Sequence, residues 1–295
     1  MKFDCIIIGG GLSGLICGIS LQRRGARCAI VSTGQSALYF SSGSFDLLNR
    51  LPDGTPVSDP EQSVGMLPDE HPYRLLGDDF ARYAHGAGEF LSACGVPVQG
   101  DSRRNLFHLT PMGTMKPTWL TLADFRTSDS AKRFDGKRVR ILNFEGFLDF
   151  NTSFIAEALE SNGAECLLES LSLPQVDRLR HNPTEMRAVN IARVLDRPDV
   201  FERFVEQLRS HSAGVDALLV PAVLGLDSVR PVERLRQLLP AVEAVPTMPP
   251  SVPGIRTQQQ LKRTFEELGG TFMAGDTVVG AGIKEIGRAS CRERV

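Results

Sequence analysis

Three glycines near the start of the chain, Gly9, Gly11 and Gly14, stand at the spacing G-x-G-x-x-G. Each position serves a different purpose when main-chain N–H groups must meet an anion. The first glycine allows a tight strand-to-helix turn, the second lets the backbone approach a phosphate, and the third lets the helix lie close on the strand. The flanks carry the periodicity this chemistry needs. Cys5-Ile6-Ile7-Ile8 is a short apolar run, which predicts a strand buried on both faces of a parallel sheet. From Leu12 to Leu21 the apolar residues recur at helical spacing, and Gly18, one turn after Gly14, extends the flat face. A fingerprint that closes an apolar strand and opens a helix points to nucleotide or flavin binding rather than to a glycine-rich packing loop.

The next strand refines that reading. Gly25 ends the helix, and Arg27 to Ser32 reads as a second buried strand, completing a right-handed βαβ unit. A dinucleotide site normally carries an acid at the end of this strand for the adenosine ribose. Here that place falls near Ser32 or Thr33, and no Asp or Glu occurs between Asp4 and Asp46. Two readings stay open: a mononucleotide such as FMN, which has no adenosine ribose, or FAD with Ser32, Thr33 or Gln35 on the ribose. The segment that follows, Gln35 to Leu48, is rich in hydroxyls around Gly43. Ser42, Gly43 and Ser44 are second candidates for contacting a flavin ring or phosphate, and hydroxyls of this kind also make ordinary turns and caps.

The elements that must position these residues follow in order. Leu51 to Pro72, with five prolines, reads as a surface connection. Phe80, Tyr83, Ala87, Phe90, Leu91 and Cys94 recur at helical spacing before Gly95. Leu106 to Leu120 reads as short strands around Pro111-Met112-Gly113, with the single tryptophan, Trp119, in the packing. Strands are predicted over Arg138–Phe144, Glu165–Leu171 and Asp216–Val220. Helices are predicted over Ser153–Ser161, Glu185–Leu195, Asp199–His211, Val232–Leu239 and Thr257–Leu268.

Composition sets the outer limits. The chain has 295 residues, 42% hydrophobic and 23% charged, with a formal net charge of -2. That balance gives no electrostatic footprint for nucleic acid or an anionic membrane. No apolar run is long enough to span a bilayer, and the N-terminal segment, interrupted by Asp4, lacks the pattern of a signal peptide. Six scattered cysteines without a C-x-x-C pair, and five histidines without ligand spacing, predict reduced thiols and no metal site.

Two stretches of the middle are more polar than packing requires. In His181 to Arg193, Arg187, Asn190 and Ile191 share one helix face, and an arginine there suits a phosphate or carboxylate as well as a surface salt bridge. Pro246 to Arg256 holds four prolines and a glycine, which fix a rigid loop delivering Ser251 and Arg256 to a helix start. His181, Arg187 and Arg256 are therefore the anion-binding candidates. No nucleophile or proton-transfer pair stands out, so catalytic residues are not named.

These residues also carry a resemblance. The chain resembles the B subunit of anaerobic glycerol-3-phosphate dehydrogenase through the opening Met1-Lys2-Phe3-Asp4 with the Gly9–Gly14 fingerprint, Gly34-Gln35-Ser36-Ala37-Leu38 with Ser41-Ser42-Gly43-Ser44, Arg187 to Arg193, and Pro249-Pro250-Ser251-Val252 with Gly254-Ile255-Arg256. The match covers Met1 to about Lys284. The resemblance implies a complex that oxidises sn-glycerol 3-phosphate to dihydroxyacetone phosphate and passes electrons to quinone. In it, an A subunit carries FAD and the substrate chemistry, the B subunit carries FMN (alternatively FAD), and an iron–sulfur C subunit anchors the pair. It further implies a cytoplasmic protein, peripheral to the inner membrane through a partner.

The expected fold is α/β: a Rossmann-like FAD/NAD(P)-binding-type domain with an inserted mixed α/β domain. The expected boundaries are 1–70 for the first part of the flavin domain, 71–255 for the insert, 256–284 for the return, and 285–295 for a non-native tail. Glu285 to Val295 shows neither strand nor helix period. Family members continue with a further glycine-rich segment, so the resemblance implies that this chain alone binds flavin weakly or not at all. Two rival functions remain: a stand-alone FAD oxidoreductase of the fumarate-reductase or ketosteroid-dehydrogenase kind, and a scaffold subunit without a redox cofactor.

Overall fold

The computed structural model describes residues 2–182, 184–285 and 288–293. The chain divides into two compact units, residues 1–39 with 257–295, and residues 40–256. This grouping divides the segment expected over 1–70 after Tyr39, and the C-terminal part of the first unit begins at Thr257.

Strands are numbered along the chain. The first unit is built on three parallel strands in the order β1 (Cys5–Ile8), β2 (Cys28–Ser32), β13 (Thr271–Ala274). Helix Leu12–Arg23 joins β1 to β2, whose register sets Cys5 opposite Cys28 and Ile8 opposite Val31. β2 takes the middle and is buried throughout, as its apolar run predicts. β1 is not buried on both faces. It pairs on one side only among the described residues, and Ile6 and Ile8 are 38% and 69% exposed. Alternate side chains of a strand face opposite sides, so the apolar run marks one covered face and one open face. Helix Val252–Glu267, which begins in the second unit, ends here with Phe265 against Gly18, where a Cβ would lie 2.8 Å from the ring.

The tail departs from its expected lack of structure. β14 (Val278–Glu285) pairs antiparallel with β15 (Arg288–Glu293). A hairpin closes through backbone hydrogen bonds, which need no side-chain period. Residues 286, 287, 294 and 295 of that tail lie outside the described residues, as do Met1 and Pro183 of the segments singled out above.

The second unit is mixed α/β. Its main sheet is parallel, in the order β10 (Glu165–Leu171), β9 (Arg138–Phe144), β11 (Ala217–Pro221), β12 (Val242–Val245). Helices Thr152–Glu160, Ala188–Leu195, Pro198–His211 and Arg230–Leu238 make the crossovers. Helix Pro198–His211 buries Val200, Phe201, Phe204, Val205 and Leu208, a single 3.6-period stripe, and Phe204 stacks on Phe144 of β9 with centroids 5.8 Å apart. Two small antiparallel sheets complete the unit. One has the order β3 (Ser44–Phe45), β7 (Leu120–Leu122), β4 (Val98–Gly100); the other is β6 (Met115–Thr118), β5 (Leu106–Leu109), β8 (Thr127–Ser128). Among the described residues no helix is long and apolar enough to cross a membrane.

Candidate functional site

The loop after β1 is shaped by what each glycine excludes. Gly9 adopts φ +105, a backbone conformation that L side chains rarely take, and its N–H donates to the Val31 carbonyl of β2 at 2.8 Å. At Gly10 a Cβ would collide with Phe272 of β13 at 2.6 Å and Ser32 at 2.9 Å. At Gly14 it would lie 2.0 Å from the Gly9 carbonyl oxygen, so helix and turn touch only because this residue has no side chain. Gly11 is different. Its nearest neighbour is Ser36 Cβ at 4.0 Å, leaving room that nothing in the first unit fills.

Gly11 is also the N-cap of helix Leu12–Arg23. No side chain caps this helix and no acid stands in its first turn. The positive end of the helix dipole is therefore offset by no carboxylate of its own segment. An unobstructed Cβ position at Gly11, an uncapped helix start, the positive φ of Gly9 and the side-chain-free Gly10 and Gly14 give the local features that a phosphate-binding turn requires. The end of β2 offers fewer such groups. Ser32, buried at the end of β2, donates its hydroxyl to the Gly34 carbonyl at 3.1 Å, and no carboxylate takes its place.

Gln258 completes the loop from the far end of the chain. Its Nε2 donates to the Gly10 carbonyl at 2.9 Å, and its Oε1 accepts from Ser36 Oγ at 2.5 Å. Ser36 Oγ in turn accepts from Leu38 N at 3.2 Å. Sequence reasoning does not find Gln258, because its partners are 248 and 222 residues away and no local pattern marks it.

The serine-glycine segment lies in the second unit. Gly43 has φ +82, and a Cβ there would sit 2.2 Å from the Phe125 ring. Gly43 N donates to Ser41 Oγ at 3.0 Å, Ser42 Oγ and Ser44 Oγ are 3.2 Å apart, and Leu122 N donates to the Gly43 carbonyl at 2.8 Å. Buried His108 bonds the Ser42 carbonyl through Nε2 at 3.1 Å and packs edge-on to Phe125. A carbonyl only accepts, so Nε2 carries the proton there. Burial pushes the His108 pKa down to about 4 against the opposing pull of that carbonyl. The segment is thus a firmly held turn.

Residues 4–287 match the family model of the FAD binding domain. The B subunit of anaerobic glycerol-3-phosphate dehydrogenase from Yersinia enterocolitica is 45% identical over 287 residues, 95% of this chain and 68% of that protein. The protein of the same name from Pectobacterium atrosepticum is 44% identical over 288 residues, 96% of this chain and 69% of that protein. The chain belongs to this B-subunit family and carries an FAD binding domain. Among solved structures, L-amino acid deaminase from Proteus myxofaciens aligns with 96% of this chain and 40% of that one at 14% identity, with a TM-score of 0.30.

Within this family fold the three anion-binding candidates come out differently from the glycines. Arg256 is buried and committed. Its Nη2 donates to both carboxylate oxygens of Asp124, itself buried, and its Nη1 donates to the Gly225 carbonyl. It is a structural strut, not an open anion receptor. Helix Val252–Glu267 starts earlier than the predicted Thr257, with Pro253 and Gly254 in its first turn, so Arg256 sits inside the helix. Proline is tolerated at a helix start because its missing N–H has no intrahelical partner there. Arg187 caps helix Ala188–Leu195 from outside, so it does not share a helix face with Asn190 as the spacing predicts. It pairs with Asp149 at 3.1 Å and lines a surface cavity of about 420 Å³ together with Arg180 and Gly146. His181 is exposed and does not line that cavity. The three do not form one site. Among the described residues no group of His, Cys, Asp and Glu could hold a metal.

Proposed function

We propose that the chain is the flavin-binding subunit of a complex that oxidises sn-glycerol 3-phosphate to dihydroxyacetone phosphate and delivers the electrons towards quinone. The relatives' shared name supports the substrate, and the subunit designation supports partners. An FAD-containing A subunit and an iron–sulfur C subunit at the inner membrane are the proposed partners, with this chain peripheral to the membrane. The observation that carries the reading is the open cradle at Gly11 under an uncapped helix start.

In this proposal Gly9, Gly11 and Gly14 hold the flavin phosphates and Ser32 lies on the ribose side. Ser42, Gly43 and Ser44 are a second candidate contact, in their own unit. Oxidising a secondary alcohol to a ketone removes two electrons and two protons, and a bound flavin supplies the acceptor for the electrons. The family model favours FAD. The missing acid after β2 is the specific observation that keeps FMN as a second reading.

The test is acid release and chromatography of the cofactor from the chain purified with its partner subunits, alongside dye reduction driven by glycerol 3-phosphate. Stoichiometric FAD or FMN with substrate-dependent reduction supports the proposal and settles which flavin is held. A colourless chain in an active complex contradicts it and favours the scaffold reading.

A further inference from the structure

We propose that Gln258 is a positioning residue for the anion-binding backbone: it sets the direction of the Gly11 N–H by holding the Gly10 carbonyl. The inference rests on the flavin reading of the glycine loop only for its ligand, not for its geometry.

The argument begins with the peptide unit. Gly10 C=O and Gly11 N–H belong to one planar trans peptide, so they point in opposite directions. Gln258 Nε2 takes the carbonyl at 2.9 Å. The Gly11 N–H is thereby turned to the opposite side of the peptide plane. Glycine residues make this control necessary: Gly9, Gly10 and Gly11 are three consecutive residues of the type with the widest backbone freedom, and such a loop loses most entropy on ordering. Shape alone fixes Gly10, pressed against Phe272 and Ser32. A Cβ at Gly11 would meet no atom nearer than 4.0 Å, so no side-chain packing there sets the peptide; its carbonyl end is held by the Gln258 hydrogen bond, which fixes the opposite N–H.

The amide orientation is unambiguous. The Gly10 carbonyl can only accept, so the NH₂ of Gln258 must face it, and Oε1 must face Ser36. The Ser36 hydroxyl proton then points to Oε1, leaving its oxygen to accept from Leu38 N. A single directional relay runs from Leu38 N–H through Ser36 and Gln258 to Gly10. It ties the phosphate loop to the turn after β2 through two buried side chains, Ser36 and Gln258. Both turns flank the place where a nucleotide would lie on a βαβ unit.

The chemical class of ligand follows from what is oriented: an N–H at a helix start receives a phosphate or pyrophosphate oxygen, and the ring of a flavin makes no use of it. Loss of Gln258 therefore weakens phosphate-bearing ligands selectively.

The test compares the wild-type chain with Gln258→Leu, Gln258→Glu and Ser36→Ala. Glutamate keeps the acceptor for Ser36 but cannot donate to Gly10, so it serves in the ligand-free amide comparison if the leucine variant fails to fold; its added charge itself repels a phosphate, so the ligand comparison is read from Gln258→Leu. Two readouts are taken. In the ligand-free protein, the Gly11 amide resonance and its hydrogen-exchange rate are expected to change in Gln258→Leu and Gln258→Glu, and to change less in Ser36→Ala. In titrations with FAD and riboflavin, made on the chain together with its partner subunits, Gln258→Leu is expected to lose FAD affinity by about tenfold, the size of one hydrogen bond to a charged group, with riboflavin affinity unchanged. An unaltered Gly11 amide in both Gln258 variants overturns the inference, as does an equal loss for FAD and riboflavin. If the wild-type chain ignores FAD even when titrated together with its partner subunits, the flavin reading fails, while the ligand-free comparison still decides what Gln258 does.

Discussion

Two loops of this molecule have the same origin and opposite fates. Each follows a parallel strand, contains glycine and leads into a helix: Gly9 to Gly11 after β1 in the first unit, and Gly225-Leu226 after β11 in the second. After β11 the backbone N–H groups of Gly225 and Leu226 both donate to the Asp196 carboxylate at 2.7 Å. Burial raises the pKa of that carboxyl, while the two N–H groups oppose the rise. Arg256 closes the same turn from the other side by taking the Gly225 carbonyl. After β1 there is no acid in reach along the segment, and the room before Gly11 stays open. The chain has filled one backbone anion nest with its own carboxylate and supplies no such carboxylate to the other. The lesson is that a glycine turn at a strand end is a candidate site only when the protein does not supply the anion itself.

Breaking the filled loop has the largest expected effect. Arg256→Met leaves Asp124 buried without its cation, and loss of one partner of a buried pair costs about 3–5 kcal/mol. Chemical denaturation is expected to show that loss; an unchanged midpoint would make Arg256 a dispensable surface-type cation instead.

The next effect separates the anchors of the two units. Gln258, the anchor of the first, does not titrate. His108, the anchor of the Ser42 turn, does. Its folded pKa of about 4 lies below the ordinary 6.5, so the unfolded chain binds its proton first. His108 therefore contributes full stability above pH 6.5 and loses it as pH falls towards 4, a loss of up to about 3 kcal/mol. A pH series of denaturation curves for wild type and His108→Gln checks this: the acid-side slope is expected to shrink in the variant.

Asp196→Ala comes third. It strips the partner from two N–H groups and is expected to cost about 2 kcal/mol, with part of the loss restored by millimolar inorganic phosphate occupying the vacated nest. Melting temperature with and without phosphate measures it, and no phosphate response would mean the nest cannot accept an outside anion.

Gly11→Ala is the smallest in stability and the sharpest in function. With no atom nearer than 4.0 Å to receive the methyl, stability is expected to change by less than about 1 kcal/mol. FAD affinity is expected to fall about tenfold or more, because the methyl occupies the ligand's space. A thermal melt and a FAD titration on the same sample separate the two.

Much of the scaffold is legible in the sequence, because long apolar periods survive any context. Arg138–Phe144 and Glu165–Leu171 are strands over their predicted ranges, and the helix ending at His211 starts one residue before its prediction. The four-residue strands β12 and β13 are not legible: their pairing with β11 and β2 is supplied by neighbours far along the chain. The apolar run of β1 predicts full burial because it records hydrophobicity and not whether both faces are covered. In the candidate site, the turn at Gly9 and the close approach at Gly14 are legible since their requirement is local, within six residues; what the loop binds is the proposal. The arginines mislead. A guanidinium looks the same in sequence whether its carboxylate is a ligand or Asp124, 132 residues away. Gln258 and Asp196 are invisible for the same reason.

The measurement that bears most directly on this contrast is a titration of inorganic pyrophosphate followed through backbone amide resonances. The Gly11, Leu12 and Ser13 amides are expected to shift saturably while Gly225 and Leu226 stay still, one nest open and the other already filled. Shifts at Gly225 and Leu226 with none at Gly11 to Ser13 would contradict the account.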